Sequence, residues 1–219
     1  MGDGPEGESP VDPPPVVTQA RMLNEPPPPR ASRADPAAEK AALACIQRKE
    51  REQALTILMT AYGKPILAFA MRVVRRADLA EEVRQRTFLD AFQELDRFQG
   101  RGSLWSWLCG IAHHRCMDEL RRDRRTANHD DFDVLEALAA PPDPLMTPSL
   151  LPSTRRALED CLGALPAEVR SQVLMRYLLD HSFVEIGDAI DEPQGTVQVR
   201  MARALTKLQR CLRRKGVEL

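Results

Sequence analysis

Proline placement is the strongest constraint on what this chain can fold into. Of its 18 prolines, ten fall within residues 1–36 and five more (Pro141, Pro142, Pro144, Pro148 and Pro152) within 141–152. Proline lacks the backbone donor and clashes with the preceding turn, so neither stretch can hold a long helix. The remaining three, Pro65, Pro166 and Pro193, stand in helix-forming surroundings at points where a first turn accepts them. Two helical blocks are therefore expected, with a proline-rich segment ahead of each.

Apolar residues make up 43% of the 219, enough to build cores, but aromatics supply only 5%. No strand-like alternation occurs, so the expected fold is all-α: two small helical domains joined by a flexible linker. The acidic, proline-rich tail has too little to bury to offset its ordering entropy and is expected to be disordered. Domain boundaries follow as 1–36 for the tail, 37–127 for the first domain, 128–152 for the linker and 153–219 for the second domain. The formal net charge of −1 hides a segregation. Residues 1–40 carry seven acids against four bases, whereas 196–219 carry seven bases against Glu218 alone. A polyanion would meet that local surplus, not the sum. Five cysteines at 45, 109, 116, 161 and 211, odd in number and without a CxxC pair, read as reduced thiols used for packing.

Within the first block, Leu43, Ile46, Leu55, Leu58 and Met59 recur near the helical period, and 66–74 is nearly all apolar and reads as a buried helix opened by Pro65. Residues 79–97 place Leu79, Val83, Phe88, Phe92 and Leu95 opposite Glu81, Glu82, Arg84, Gln85, Arg86 and Asp90. Gly100 and Gly102 break the pattern, Ser103 is a good N-cap, and the next helix runs into Arg121-Arg122-Asp123-Arg124-Arg125. In the second block, helices are expected at about 154–163 and 166–179, then a short one capped by a Ser182/Glu185 box and ending near Ile190. A last, basic helix starts at Pro193.

The segment from Ser182 to Leu205 has the form of a helix-turn-helix. Ile186 and Ile190 can meet Val197 and Met201, and Gly187 lets the backbones approach. Gln194, Thr196, Gln198, Val199, Arg200 and Arg203 lie at or near the N-terminal half of the second helix, where a recognition helix presents side chains to the major groove. Leu165-Pro166, Arg176-Tyr177, the Ser182/Phe183/Glu185/Ile186 box and Gly195-Thr196-Val197 followed by Arg200 together resemble region 4 of a bacterial RNA polymerase sigma factor of the extracytoplasmic-function (ECF) type. Asp191 stands where the family usually has a turn glycine. Residues 80–125 resemble region 2 of the same family, with an acid–Gln–Thr–Phe helix, an Arg-Phe-x-Gly loop, Trp-Leu and Ile-Ala pairs and an Asp-x-x-Arg-Arg end.

The resemblance implies a protein that binds core RNA polymerase and promoter DNA, with the 193–214 helix on the −35 element and residues 98–125 recognising and melting the −10 element. Glu82 and Gln85 match positions that contact the polymerase clamp, and Arg86 reverses the acid usual at its position. For the −10 element the implied residues are Ser103, Trp105, His114, Arg115, Arg121 and Arg122, with Arg124 and Arg125 also suited to phosphates. His114 replaces an Asn that commonly reads the flipped base. Trp105 is the candidate stacking platform and Trp107 the core residue. An anti-sigma factor is a further implied partner.

No phosphate-cradling glycine motif, HExxH or nucleophile arrangement occurs, so neither an enzyme nor a small-molecule substrate or cofactor is expected. Cys109, His113 and Cys116 share one helix face, but without paired short spacings they read as packing residues rather than metal ligands. Absence of a secretory leader pattern and of an 18-residue apolar run points to the cytoplasm. The rival reading is a stand-alone helix-turn-helix regulator that binds duplex DNA without polymerase.

Overall fold

The computed structural model describes residues 35–98, 100, 102–126 and 152–217, without the side chains of Arg124 and Thr126. The expected tail (1–34), most of the linker (127–151), Gln99 and Arg101 lie outside the described residues. All regular structure among the described residues is helical. Helices α1 (Pro36–Gln47), α2 (Arg51–Val74), α3 (Ala77–Glu94) and α4 (Leu104–Thr126) form a first module, with a 3-10 turn at Leu95–Arg97. Helices α5 (Pro152–Gly163), α6 (Ala167–Tyr177), α7 (Phe183–Ile190) and α8 (Gln194–Arg214) form a second.

Asp35 opens α1, its carboxylate accepting from the amides of Ala37 and Ala38 at 2.9 and 3.1 Å. Helix α2 is the core of the first module and buries Leu58, Tyr62, Ile66, Phe69 and Val73. By length and composition alone it would serve to cross a membrane, but its buried stripe is covered by α1, α3 and α4. The expected break at Pro65 does not occur: the proline sits inside one continuous helix. Loss of one hydrogen bond and local strain, about 3 kcal/mol, is outweighed by the unbroken stripe on either side of it.

Helix α4 starts where expected. Ser103 Oγ accepts from the Ser106 amide at 3.0 Å, and Glu39, from α1, accepts from the Leu104 amide at 2.6 Å. Gly100 and Gly102 both take positive φ (71° and 75°), which glycine tolerates best.

The modules pack directly on one another, α7 lying along α4. Gly110 makes this approach possible, since a Cβ there would stand 2.7 Å from the Ala189 carbonyl oxygen. Trp105 Nε1 donates to the Leu179 carbonyl at 3.5 Å, and His113 Nδ1 lies 2.7 Å from Ser171 Oγ. Arg170 donates to the Val73 carbonyl, and Arg72 pairs with Glu159 at 3.2 Å, the two being 8% and 12% exposed. The buried interior thus runs from one module into the other.

The thiol expectation is corrected for two of the five cysteines. Cys161 of α5 and Cys211 of α8 form a disulfide, whereas Cys45, Cys109 and Cys116 are buried free thiols. The partners are 50 residues apart in sequence and lack any motif spacing; only the packing of α5 against α8 brings them together.

Candidate nucleic-acid interface

Helices α7 and α8 make the helix-turn-helix. Ser182 caps α7 with its full reciprocal box: Ser182 Oγ accepts from the Glu185 amide at 3.1 Å and Glu185 Oε2 from the Ser182 amide at 2.8 Å. Asp191 ends α7 in the left-handed conformation (φ 55°) that the missing glycine would have taken. Ile186, Ile190, Val197 and Met201 are all buried between the two helices. A Cβ on Gly187 would come within 2.6 Å of the Glu192 carbonyl oxygen, so only glycine closes this turn unaltered.

The opposite face of α8 is open. Gln194, Thr196, Val199 and Arg203 are exposed, Gln198 and Arg200 half-buried. Gly195, Thr196, Val199, Arg200 and Arg203 border one shallow groove. Val199, at 54% exposure, has no internal packing role that would explain an apolar residue there. The Arg200 guanidinium is held by Glu192, with Nη2 to Oε2 at 2.9 Å. Lys207, Arg210, Arg213 and Arg214 continue the positive surface along the helix. Four of the six −35 candidates, Thr196, Val199, Arg200 and Arg203, therefore border that one groove, while Gln194 and Gln198 stand outside it.

The −10 candidates do not gather so simply. His114 and Arg121 are exposed on α4, Arg115 is tied to Asp90 and to Asp118, and Arg122 pairs with Glu119 at 3.1 Å. Ser103 is occupied as the α4 cap. Arg125 is exposed, and the Arg124 side chain lies outside the described residues. The two tryptophans reverse the expected burial, Trp105 lying deeper than Trp107. Trp105 is 3% exposed, stacked on Tyr62 with ring centroids 4.7 Å apart and 5.9 Å from His181. Trp107 is half-buried, 5.5 Å from Phe98, and borders an open cleft with Arg97, Phe98 and the Gly187–Pro193 turn. Tyr62 of α2 and, from the second module, Leu179 and His181 together enclose Trp105, a combination the local pattern does not reveal.

Glu82, Gln85 and Arg86 lie side by side on α3. Gln85 is exposed, whereas Arg86 and Arg122 converge on Glu82 and on the nearly buried Glu119 (2% exposed). The charge reversal at position 86 thus answers a buried carboxylate in α4. No signal in the 79–97 pattern reveals that dependence.

Histidine and cysteine chemistry is muted by burial. Desolvation pushes His113 down to about 4 and Cys116 well up, and Cys109 is likewise raised. Among the described residues no group of three or more His, Cys, Asp or Glu is placed to hold a metal ion.

A helix-turn-helix with an open cationic recognition face, packed on a helical module with its own arginine-lined helix, defines a two-module DNA-binding protein. Residues 58–126 match the family model of sigma-70 region 2, and residues 155–208 that of sigma-70 region 4. The chain belongs to the sigma-70 family of RNA polymerase sigma factors, of the ECF type. It is 26% identical over 174 residues to the ECF RNA polymerase sigma-E factor of Haemophilus influenzae, covering 74% of this chain and 89% of that one. Against the Escherichia coli K12 sigma-E factor the identity is 27% over 168 residues, covering 72% and 85%. Two solved structures share the fold. The sigma factor RpoE in complex with the anti-sigma factor NepR from Bartonella quintana gives a TM-score of 0.57 at 21% identity, covering 71% of this chain and 94% of that one. CnrH in complex with the cytosolic domain of CnrY gives 0.55 at 23%, covering 81% and 97%.

Proposed function

We propose that this chain is the promoter-reading subunit of an initiating RNA polymerase, in which α8 reads the −35 element and α4 with the preceding loop reads and opens the −10 element. One observation carries the reading: the two family modules occur in order on one chain, and the second keeps an exposed, positively charged recognition face. Gln194, Thr196, Gln198, Val199, Arg200 and Arg203 face duplex bases and phosphates, Arg200 being the residue suited to a base edge. His114, Arg115, Arg121 and Arg122 follow the −10 strand, and Glu82, Gln85 and Arg86 face the polymerase. Chemistry belongs to the polymerase; this subunit contributes binding energy and position. Such a partner places the chain in the cytoplasm, and an anti-sigma factor is the expected antagonist. The functional units are best cut at 37–127 and 153–219.

Packing between the modules supports one further point about this function. Promoter elements more than twenty base pairs apart, at about 3.4 Å per pair, cannot both be reached by modules in contact. Binding to polymerase must separate them, at the expense of the contact between α4 and α7.

Run-off transcription from a promoter with defined −35 and −10 elements tests the reading. Purified core polymerase should give a specific transcript only when this protein is added. Duplex binding without polymerase, and no transcript with it, would establish the stand-alone regulator instead.

A further inference from the structure

We infer that Cys161 and Cys211 form a reversible thiol–disulfide modification site, closed by a hydroperoxide and reopened by a dithiol reductant, that fastens α5 to the C-terminal half of the recognition helix. Three observations support it. The pair is the one disulfide among the described residues, and its partners come from helices 50 residues apart in sequence. The other three cysteines are buried and free, and desolvation raises Cys109 and Cys116 far from thiolate formation, which suits inert packing groups. Cys211 is half-buried whereas Cys161 is 1% exposed, so Cys211 is the partner nearer to solvent. Lys207, Arg214 and Lys215, at i−4, i+3 and i+4, place positive charge around it, the kind of surroundings in which reactive thiols are found. In the reducing compartment proposed above, a disulfide is ordinarily transient and sensory rather than structural.

The chemistry balances in both directions. On oxidation the Cys211 thiolate attacks one oxygen of hydrogen peroxide, the O–O bond breaks, and the departing hydroxide takes a proton from solvent, leaving a sulfenic acid and one water. The Cys161 sulfur then displaces the hydroxyl, giving the S–S bond and a second water. On reduction a dithiol's thiolate attacks Cys211 Sγ, Cys161 leaves and takes a proton, and the second reductant thiol resolves the mixed disulfide. Two electrons pass to the protein pair, and the reductant leaves as a disulfide.

Position gives the bond its consequence. Glu159, Asp160 and Cys161 are consecutive on α5: Glu159 holds Arg72 of the first module, Asp160 holds Lys215 of α8 at 2.8 Å, and Cys161 holds Cys211. The Lys215 pair is exposed and worth little alone. The disulfide is therefore the covalent link between the recognition helix and α5, one of the helices that touch the first module. Closed, it holds α5–α8 as one body; open, α5 can part from α8 and the −35 module samples incompetent states.

The test uses the full chain, incubated natively with hydrogen peroxide or with dithiothreitol, then denatured and alkylated. Three reactive thiols are expected after peroxide and five after dithiothreitol, with a Cys161–Cys211 peptide in the first case only. Reduction is expected to lower Tm by about 5–15 °C and to weaken binding of a −35 duplex at least about threefold through the smaller competent fraction. C211S should show one Tm and one affinity in both conditions, while C45S keeps the full response; C161A serves if C211S fails to fold. Five thiols after peroxide, a bond that native dithiol cannot open, or equal Tm and affinity in both states overturns the inference. The effect on duplex binding and the reducing compartment both rest on the promoter-reading function, whereas the thiol counts and Tm do not. Failed run-off transcription with intact redox-dependent thiol counts and Tm would sink that function and leave the modification site standing.

Discussion

His113 Nδ1 sits 2.7 Å from Ser171 Oγ across the boundary between the two modules, and both residues are buried. Burial holds the imidazole at about 4, with the charges of His114, Arg121 and Arg200 acting in the same direction. The folded value lies below the unfolded one of about 6.5, so the unfolded chain takes up the proton first. His113's contribution is complete above about pH 6.5 and is lost as pH falls toward 4, amounting to about 3 kcal/mol. Denaturant unfolding between pH 7.5 and 4.5 should show this slope, and His113→Gln should flatten it. His181, also lowered by burial, leaves a residual slope in the variant.

Gly110→Ala should pry the modules apart. The new methyl would meet the Ala189 backbone at 2.7 Å, a contact that a flexible side chain cannot relieve. A loss of about 1–3 kcal/mol is expected, with a larger radius of gyration in X-ray scattering. Unchanged dimensions and stability would show that α4 and α7 do not meet in solution.

With Arg200 on DNA as proposed, Glu192 competes with DNA for its guanidinium. Glu192→Gln releases the guanidinium and should tighten −35 binding severalfold, the gain shrinking as salt rises. Arg200→Ala should cost about 1–3 kcal/mol with changed base preference if it reads a base. A uniform loss with a salt slope lower by about one would mark a phosphate contact instead.

The tryptophans separate folding from melting. Trp105→Ala should cost about 3–5 kcal/mol of stability, as removal of a buried ring does. Trp107→Ala should cost clearly less stability than Trp105→Ala yet weaken strand opening, since a base stacked on such a ring is worth about 1–3 kcal/mol. Permanganate reactivity of the −10 thymines checks the second outcome.

Arg86→Glu should destabilise the first module by about 2–4 kcal/mol, because a nearly buried Glu119 would lose one of its two cations and face an acid. Adding Glu119→Gln should recover much of the loss, which a double-mutant cycle in urea measures.

How far the sequence could be read follows from the range of each interaction. Ser103 as a cap and the Ser182/Glu185 box are local, and both stand as expected. Pro65 was misjudged as a helix start because a local rule ignores the stripe from Leu58 to Val73 that carries the helix through it. The buried role of Trp105, the partners of Arg86 and the Cys161–Cys211 bond all depend on elements distant in sequence. Charge on α8 was legible because a recognition face needs no partner within the chain.

Asp35 exchanges backbone hydrogen bonds with the Tyr62 hydroxyl at 3.2 and 3.3 Å, and Tyr62 stacks on Trp105, whose indole reaches the Leu179 carbonyl. The root of the N-terminal extension is thereby moored beside the seam of the molecule. Parting the modules would break the Trp105 link to Leu179 while leaving Asp35 and Tyr62 together on the first module's side.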